Sequence, residues 1–307
     1  MTTIKKVAIA GANGALGKPL FDALVKAGFE VTVLARSAGK IPTLPPTATE
    51  TVVDFASPDS LVAALKGHDA VVSALGSQPG TAQAQKALAQ ASADSGVKRF
   101  IPSDFGSNLD NPEVRKLAVF KDKIELRDEL VRLSRETKLT WTSVSNNAFL
   151  DWGLENKFLL DPVEGKATLW DGGENLISVT RLAAVGQAVV GVLKHPDETA
   201  NRTVFVQEAA VSLKRLVEIA KENTPGKTWT VVEGSTEDVV KKSNEALSKG
   251  IFEAWVFVSL IFRAAFSNVT GAHFANNDNS LLGVHELSEA ELKAVVKEIL
   301  AGIPGAN

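Results

Sequence analysis

The stretch Val7-Ala8-Ile9-Ala10-Gly11-Ala12-Asn13-Gly14-Ala15-Leu16-Gly17 decides the fold class. A short apolar, β-branched run ends in a glycine loop, and an Ala/Leu-rich segment of helical spacing, Ala15–Ala27, follows at once. Between a strand and a helix, glycines allow a tight turn, close approach of bare backbone to a pyrophosphate, and close packing of helix on strand. The first helical amides then face the phosphates. Gly11, Asn13, Gly14, Ala15, Leu16 and Gly17 are therefore candidates for a phosphate-binding loop. Their spacing is G-x-x-G-x-x-G rather than G-x-G-x-x-G.

Outward from this loop the first half alternates regularly. Strands are expected at Val31–Leu34, Thr51–Val53, Ala70–Ala74 and Arg99–Ile101, with helices at Leu61–Lys66 and Ala82–Ser95 between them. Such alternation implies crossover connections and a doubly wound α/β fold around a parallel sheet. A long helix is expected over Pro112–Thr137, started by Asn111-Pro112-Glu113, and a further strand over Leu139–Ser145. Beyond Phe149 the pattern loosens. Strands are expected at Lys166–Trp170 and Thr203–Val206, and helices at Val211–Lys221, Glu237–Leu247, Phe252–Phe266 and Ser288–Leu300. The expected division is a nucleotide-binding domain over 1–150 and a smaller, mainly substrate-binding lobe over 151–307, some segments of which return to the first sheet.

Composition removes whole classes of chemistry. The chain has 307 residues with 45% hydrophobic and 22% charged, enough for a large core. Its net charge of −3, with signs interspersed, argues against nucleic acid or an anionic membrane as partner. Cysteine is absent, which excludes disulfides, thiolate catalysis and Cys-ligated metals. Four scattered histidines lack metal-ligand spacing, so no metal site is expected. The most apolar later run, Ala254–Phe262, is far short of the roughly 20 residues of a membrane span. With no leader pattern at the start, a soluble, cytoplasmic protein is expected, as monomer or homodimer.

The second expected strand ends in Leu34-Ala35-Arg36-Ser37, with Lys40 close behind. An NAD site would carry an acid here. Arginine instead suits a ribose 2′-phosphate, so the residues favour NADP. In the long helix, Val119, Lys123, Leu126 and Leu130 share one face and Arg127 follows one turn on. Burial and a like-charged neighbour both lower a lysine pKa, which suits acid–base use. The same spacing also fits a lysine that passes leucines to reach water. Tyrosine-dependent alcohol oxidation is excluded: Val119 stands four residues before Lys123, and the chain has no tyrosine.

The sequence resembles the NmrA-like and isoflavone-reductase-like family of atypical short-chain reductases. The resemblance is carried by Gly11–Gly17, Arg36, Val71-Val-Ser-Ala-Leu-Gly76, Val97-Lys-Arg-Phe-Ile-Pro-Ser-Asp-Phe-Gly106, Phe120-Lys-Asp-Lys123 with Arg127, and Trp141-Thr-Ser-Val-Ser-Asn-Asn-Ala-Phe149. It implies a Rossmann-type fold, NADPH as hydride donor, and Lys123 at the catalytic lysine position. It also implies Arg36, Lys40 and Arg127 on cofactor phosphate or ribose. Ala74, Leu75, Gly76, Gln85, Ser103, Asn146, Asn147 and Phe149 are implied to line the cofactor cleft. Departures are Asn13 for Thr, Asp104 for Glu, Trp141 and Ser143 for tyrosines, and Arg181 for an acid.

Two functions follow as expectations. One is an NADPH-dependent reductase of a small aromatic or phenolic compound, conjugated carbonyl, quinone or benzylic ether, with Lys123 at the substrate oxygen. The other is an NADP(H)-sensing regulator without chemistry. Trp152, Trp170, Trp255 and Phe252–Phe266 fit an aromatic pocket, a core or a dimer surface equally.

Overall fold

A computed structural model describes residues 2–39, 41, 43–76 and 78–306. The chain opens as β1 (Lys6–Ala10), α1 (Gly17–Lys26), β2 (Glu30–Ala35), β3 (Ala48–Val52), α2 (Pro58–Leu65), β4 (Ala70–Ser73), α3 (Thr81–Asp94) and β5 (Arg99–Ile101). A short α4 (Pro112–Arg115) and a 3-10 turn (Ala118–Phe120) lead into α5 (Lys121–Glu136), β6 (Thr140–Ser145), β7 (Ala148–Phe149) and α6 (Leu150–Glu155). There follow β8 (Lys166–Trp170), β9 (Leu176–Thr180), α7 (Leu182–Lys194), β10 (Arg202–Phe205), β11 (Ala209–Ser212) and α8 (Leu213–Asn223). The chain closes with β12 (Thr230–Gly234), α9 (Thr236–Ser248), α10 (Ala254–Phe266), α11 (Asn279–Leu282) and α12 (Glu289–Gly302).

Seven parallel strands form the main sheet in the order β10-β6-β5-β4-β1-β2-β3. Strand alternation sorts their side chains onto two buried faces. Val7, Ile9, Val33 and Val72 join the core under α1 and α7, whereas Ala8, Ala10, Leu34, Val71 and Phe100 face α2, α3 and α5. This is the doubly wound fold expected from the sequence. From β1 the chain runs outward through β2 and β3, then returns to β4 on the other side. The switch point lies between β1 and β4, and ligands of such sheets bind at the strand ends there.

The expected long helix over Pro112–Thr137 is broken. Leu117 has an extended backbone, ψ 121°, between α4 and the 3-10 turn. Buried Val114, Leu117 and Phe120 recur every three residues and pack with Leu109, Leu260 and Ala264. That spacing fits a 3-10 path better than the 3.6-residue helix. Val119 therefore precedes α5, in the 3-10 turn, yet it still lines one cavity with Lys123 and Leu126.

The second half also departs from expectation. β9, α6 and α7 stand where no element was expected, and β11 ends within the expected Val211–Lys221 helix. α7 carries Gly186 and Gly191, residues that weaken a helix signal. Packing explains them. A Cβ at Gly186 would come within 2.9 Å of Pro19 O on α1, and one at Gly191 within 2.5 Å of Leu282 O. β10 then joins the main sheet beside β6, so the region beyond 150 supplies both a strand and a covering helix.

The rest of that region has its own core. β11-β9-β7 and β12-β8 form two small sheets. Trp152, Phe158, Phe262, Phe266 and Trp170 stack with ring centroids 4.9–6.3 Å apart. Phe266 is core and Phe158, Phe262 and Trp170 pack half-buried against it, whereas Phe252 and Trp255 are exposed. Arg99 is fully buried and bonds Thr140, Thr142, Thr199 and the Pro196 carbonyl, tying β5 and β6 to the chain after α7. Burial brings its pKa down to about 10. Among the described residues no helix is long and apolar enough to cross a membrane, and no cluster of three metal-ligating side chains occurs.

Candidate active site

A groove runs along the strand ends at the switch point. Its larger part has a cavity volume of about 1160 Å³, lined by Gly11–Gly14, Val33–Arg36, Val52–Ala56 and the loop after β4. Its smaller part, about 370 Å³, is lined by Gly14–Leu16, Gln85, Ser103, Phe105, Val119, Asp122, Lys123, Leu126 and Phe149. Gly14 and Ala74–Gly76 line both, so the two parts form one continuous cleft.

The glycine loop is shaped by three different constraints. Gly11 has φ +86°, and a Cβ there would lie 2.5 Å from Ala74 O. A Cβ on Gly17 would lie 1.9 Å from Gly11 O, so α1 starts against the loop only because both residues are glycine. Gly14 differs. A Cβ there would meet no protein atom closer than Gly11 O at 3.4 Å. Its bare backbone leaves the floor of the cleft open, the cradle a diphosphate fits. Gly17 itself is buried packing and does not line the cleft.

Arg36 is exposed at the end of β2 and lines the larger cavity. It makes no hydrogen bond or ion pair with the described residues, so its guanidinium is free for an anion. Lys40, expected beside it, lies outside the described residues. Asp54 and Phe55 follow β3 and line the same cavity. Sequence reasoning missed them, although the strand-end rule that found Arg36 applies equally to β3.

Gln85 organises the middle of the cleft. Its buried Oε1 accepts from Ser73 Oγ at 2.9 Å and from Ser103 N at 3.1 Å. Ser103 Oγ in turn donates to Leu75 O at 2.8 Å. These bonds join the ends of β4 and β5 to α3 and leave the Gln85 Nε2 without a partner among the described residues.

Lys123 lines the smaller cavity from the first turn of α5, half-buried and without a hydrogen bond or ion pair among the described residues. Desolvation holds its pKa below the ordinary lysine range, Arg127 pushes the same way, and Asp104 opposes both. One turn on, Arg127 behaves differently. It is buried and its five N–H donors are all engaged. Nε and Nη2 donate to Asp104 Oδ2 at 3.2 and 2.9 Å, and Nη2 also to Ser143 Oγ at 2.7 Å. Nη1 donates to Asp110 Oδ1 at 2.8 Å and Thr203 Oγ1 at 3.0 Å. The guanidinium also lies 4.9 Å over the Trp141 ring.

Three residues expected at the cofactor are absent from the lining of the cleft. Arg127 does not line the cleft, because the anion facing it is Asp104 rather than a cofactor. Asn146 and Asn147 are buried, their amides donating to Asn147 O and to Ser178 O and Ala265 O. They fix the passage from β6 to β7. Phe149, two residues on, does reach the cavity.

Comparison with known proteins gives the family and the fold. Residues 11–196 match the NAD(P)H-binding family. The oxidoreductase poxI of Penicillium oxalicum is 31% identical, over 96% of this chain and 94% of its own length. Phenylcoumaran benzylic ether reductase Pyrc5 of Pyrus communis is 25% identical, over 97% and 96% respectively. Among solved structures, AtPrR2 with NADP+ and (+)pinoresinol superposes with a TM-score of 0.72 at 21% identity, covering 97% of this chain and 100% of that one. At that identity the likeness concerns the fold.

Proposed function

This chain belongs to the NAD(P)H-binding family, in its isoflavone-reductase-like branch, and from that premise we propose an NADPH-dependent reductase of a small aromatic or phenolic substrate. The electrophile is a conjugated carbonyl, a quinone or a benzylic ether. The observation that carries the reading is Lys123, the single cation lining the smaller cavity among the described residues, with no protein anion bonded to it.

Bound NADPH supplies a hydride to an electrophilic carbon. The protein's own part begins with the glycine loop, whose amides and open floor hold the diphosphate, and with Arg36, whose charge selects the 2′-phosphate. Gln85 and Ser103 hold the middle of the cofactor. Lys123 faces the oxygen on which negative charge develops as the hydride arrives. Its ammonium donates a hydrogen bond to that oxygen and then a proton, and its lowered pKa makes the transfer easier. Phe105, Val119, Leu126 and Phe149 give the cavity apolar walls against which a flat ring packs and which keep water from the reacting carbon. In this reading residues 1–150 carry the cofactor, and the lining of the smaller cavity, where the substrate packs, comes from the same half of the chain.

The test follows NADPH and NADH consumption with a panel of aromatic enones, quinones and benzylic ethers, with calorimetry of cofactor binding alongside. The expected result is turnover of at least one class with NADPH and much less with NADH. Tight NADPH binding with no turnover across the panel would overturn the reductase in favour of an NADP(H) sensor.

A further inference from the structure

Asn13 is followed by Gly14 in the glycine loop, and no other asparagine of the chain precedes a glycine. It also stands where the family that the sequence resembles has threonine. An asparagine before glycine is the pairing most prone to lose its side-chain amide. The next main-chain nitrogen can reach the amide carbon, and glycine puts no Cβ in the way. Residues 11–16 lie outside any helix or strand, and Asn13 is exposed and lines the larger cavity. Its side chain makes no hydrogen bond or ion pair among the described residues. Asn279, which precedes the small Ser280, is the opposite case. It is buried, with Oδ1 accepting from Gln207 N at 3.1 Å and Nδ2 donating to Gln207 O at 2.6 Å. One contact restrains the reaction at Asn13: Gly14 N donates to Gly11 O at 3.0 Å.

That turn bond is the weak point, a single bond in a surface loop that opens whenever the loop frays. We propose that Asn13 is a deamidation site, guarded by bound NADPH, whose modification closes the cleft to the cofactor. Gly14 N gives its proton to a base and attacks Asn13 Cγ. The new C–N bond forms as ammonia leaves, and a five-membered succinimide results. Water then opens the ring at either carbonyl, leaving aspartate or isoaspartate at position 13. The net change is one water in and one ammonia out. The inference rests on the reading of this loop as the diphosphate cradle. In that reading a bound diphosphate accepts from the loop amides and holds the turn shut. The product carries a carboxylate in the same cradle, where it repels the phosphates. The isoaspartyl form also lengthens the backbone in a loop whose Gly11 and Gly17 leave no slack. Time spent without cofactor is thereby written into the chain as a lasting loss of binding.

The test incubates the protein at mildly alkaline pH with and without NADPH. Mass spectrometry follows the peptide containing Asn13, and calorimetry follows NADPH binding by dialysed aliquots. The expected result is amide-to-acid conversion at Asn13 in the cofactor-free sample, in step with a falling fraction of binding-competent protein. With NADPH at about 100 times its Kd only about 1% of the protein is free, so the conversion is expected to slow at least about tenfold. The modified form, once separated, is expected to bind NADPH at least about tenfold more weakly. Asn13→Thr, read against its own fresh sample, is expected to keep its binding over the same time. Three results would each overturn the inference while leaving the reductase reading intact: no conversion at Asn13, equal conversion with and without bound NADPH, or loss of binding in Asn13→Thr at the wild-type pace. Fresh protein that fails to bind NADPH overturns both.

Discussion

Lys123 and Arg127 stand one turn apart on the same helix and carry the same charge, yet the fold treats them oppositely. Arg127 is enclosed by Asp104, Asp110, Ser143 and Thr203, which use every donor it has. Lys123 has no such shell and opens onto the cleft. A buried charge with matched partners holds elements together, here α5, β6, β10 and the loop after β5. A half-buried charge without partners stores a preference for losing its proton. The difference separates a cation satisfied by the protein from one left open to the cleft, and burial alone does not reveal it.

Replacing each cation by methionine is the direct way to break this contrast. Lys123→Met is expected to lower turnover by about 10²–10⁴-fold while the melting temperature holds or rises, since the change removes a desolvated ammonium. A clear fall in melting temperature would show that Lys123 is structural after all. Arg127→Met is expected to cost about 3–5 kcal/mol in urea unfolding, because Asp104 is left buried and unpaired. Arg127→Lys should recover little, as a point charge cannot fill five directions at once. Unchanged stability in Arg127→Met would erase the distinction.

A third cation sharpens the comparison. Arg36 is exposed and unbonded, so its removal should leave stability alone. Arg36→Ala is expected to weaken NADPH binding by about 10–100-fold, with NADH binding little changed, in paired calorimetric titrations. The smallest effect is on pH. In the proposed reaction Lys123 must be protonated to donate, so the rate is expected to fall as pH rises through its lowered pKa, giving an alkaline limb below the ordinary lysine range. Asp104→Asn removes the charge that opposes this lowering, and the limb should move to still lower pH. A limb that stays in place in Asp104→Asn would detach Lys123 from the buried network.

The sequence was most legible where backbone rather than side-chain partners defines the structure. Gly11–Gly17 and the alternation of strands and helices announce the sheet and its switch point, because glycine spacing and β-branched runs act locally. Arg36 followed by the same logic at a strand end. Arg127 was misread because its partners lie 17 and 23 residues before it and 16 and 76 after it, and no local pattern displays them. Asn146 and Asn147 belong with it: polar residues after a strand resemble a ligand site until the chain that covers them is placed. α7 escaped because Gly186 and Gly191 argue against a helix locally. They are the residues that let it press against α1 and Leu282.

The outermost strand of the main sheet, β10, has a consequence for how the protein is born. Its neighbour β6 leaves the ribosome about 60 residues earlier, so at roughly 5–20 residues per second it waits some 3–12 s for its partner. During that interval β6 presents an open edge, a template for pairing with another nascent chain. The eventual cover is thorough. Arg202–Phe205 aligns with Thr142–Ser145, and Asp278 then caps the new margin through Phe205 N at 2.9 Å and Phe205 O at 2.7 Å. The main sheet is therefore finished by late-arriving chain, and a ribosome stalled between the two strands would hold a sheet that is still adhesive.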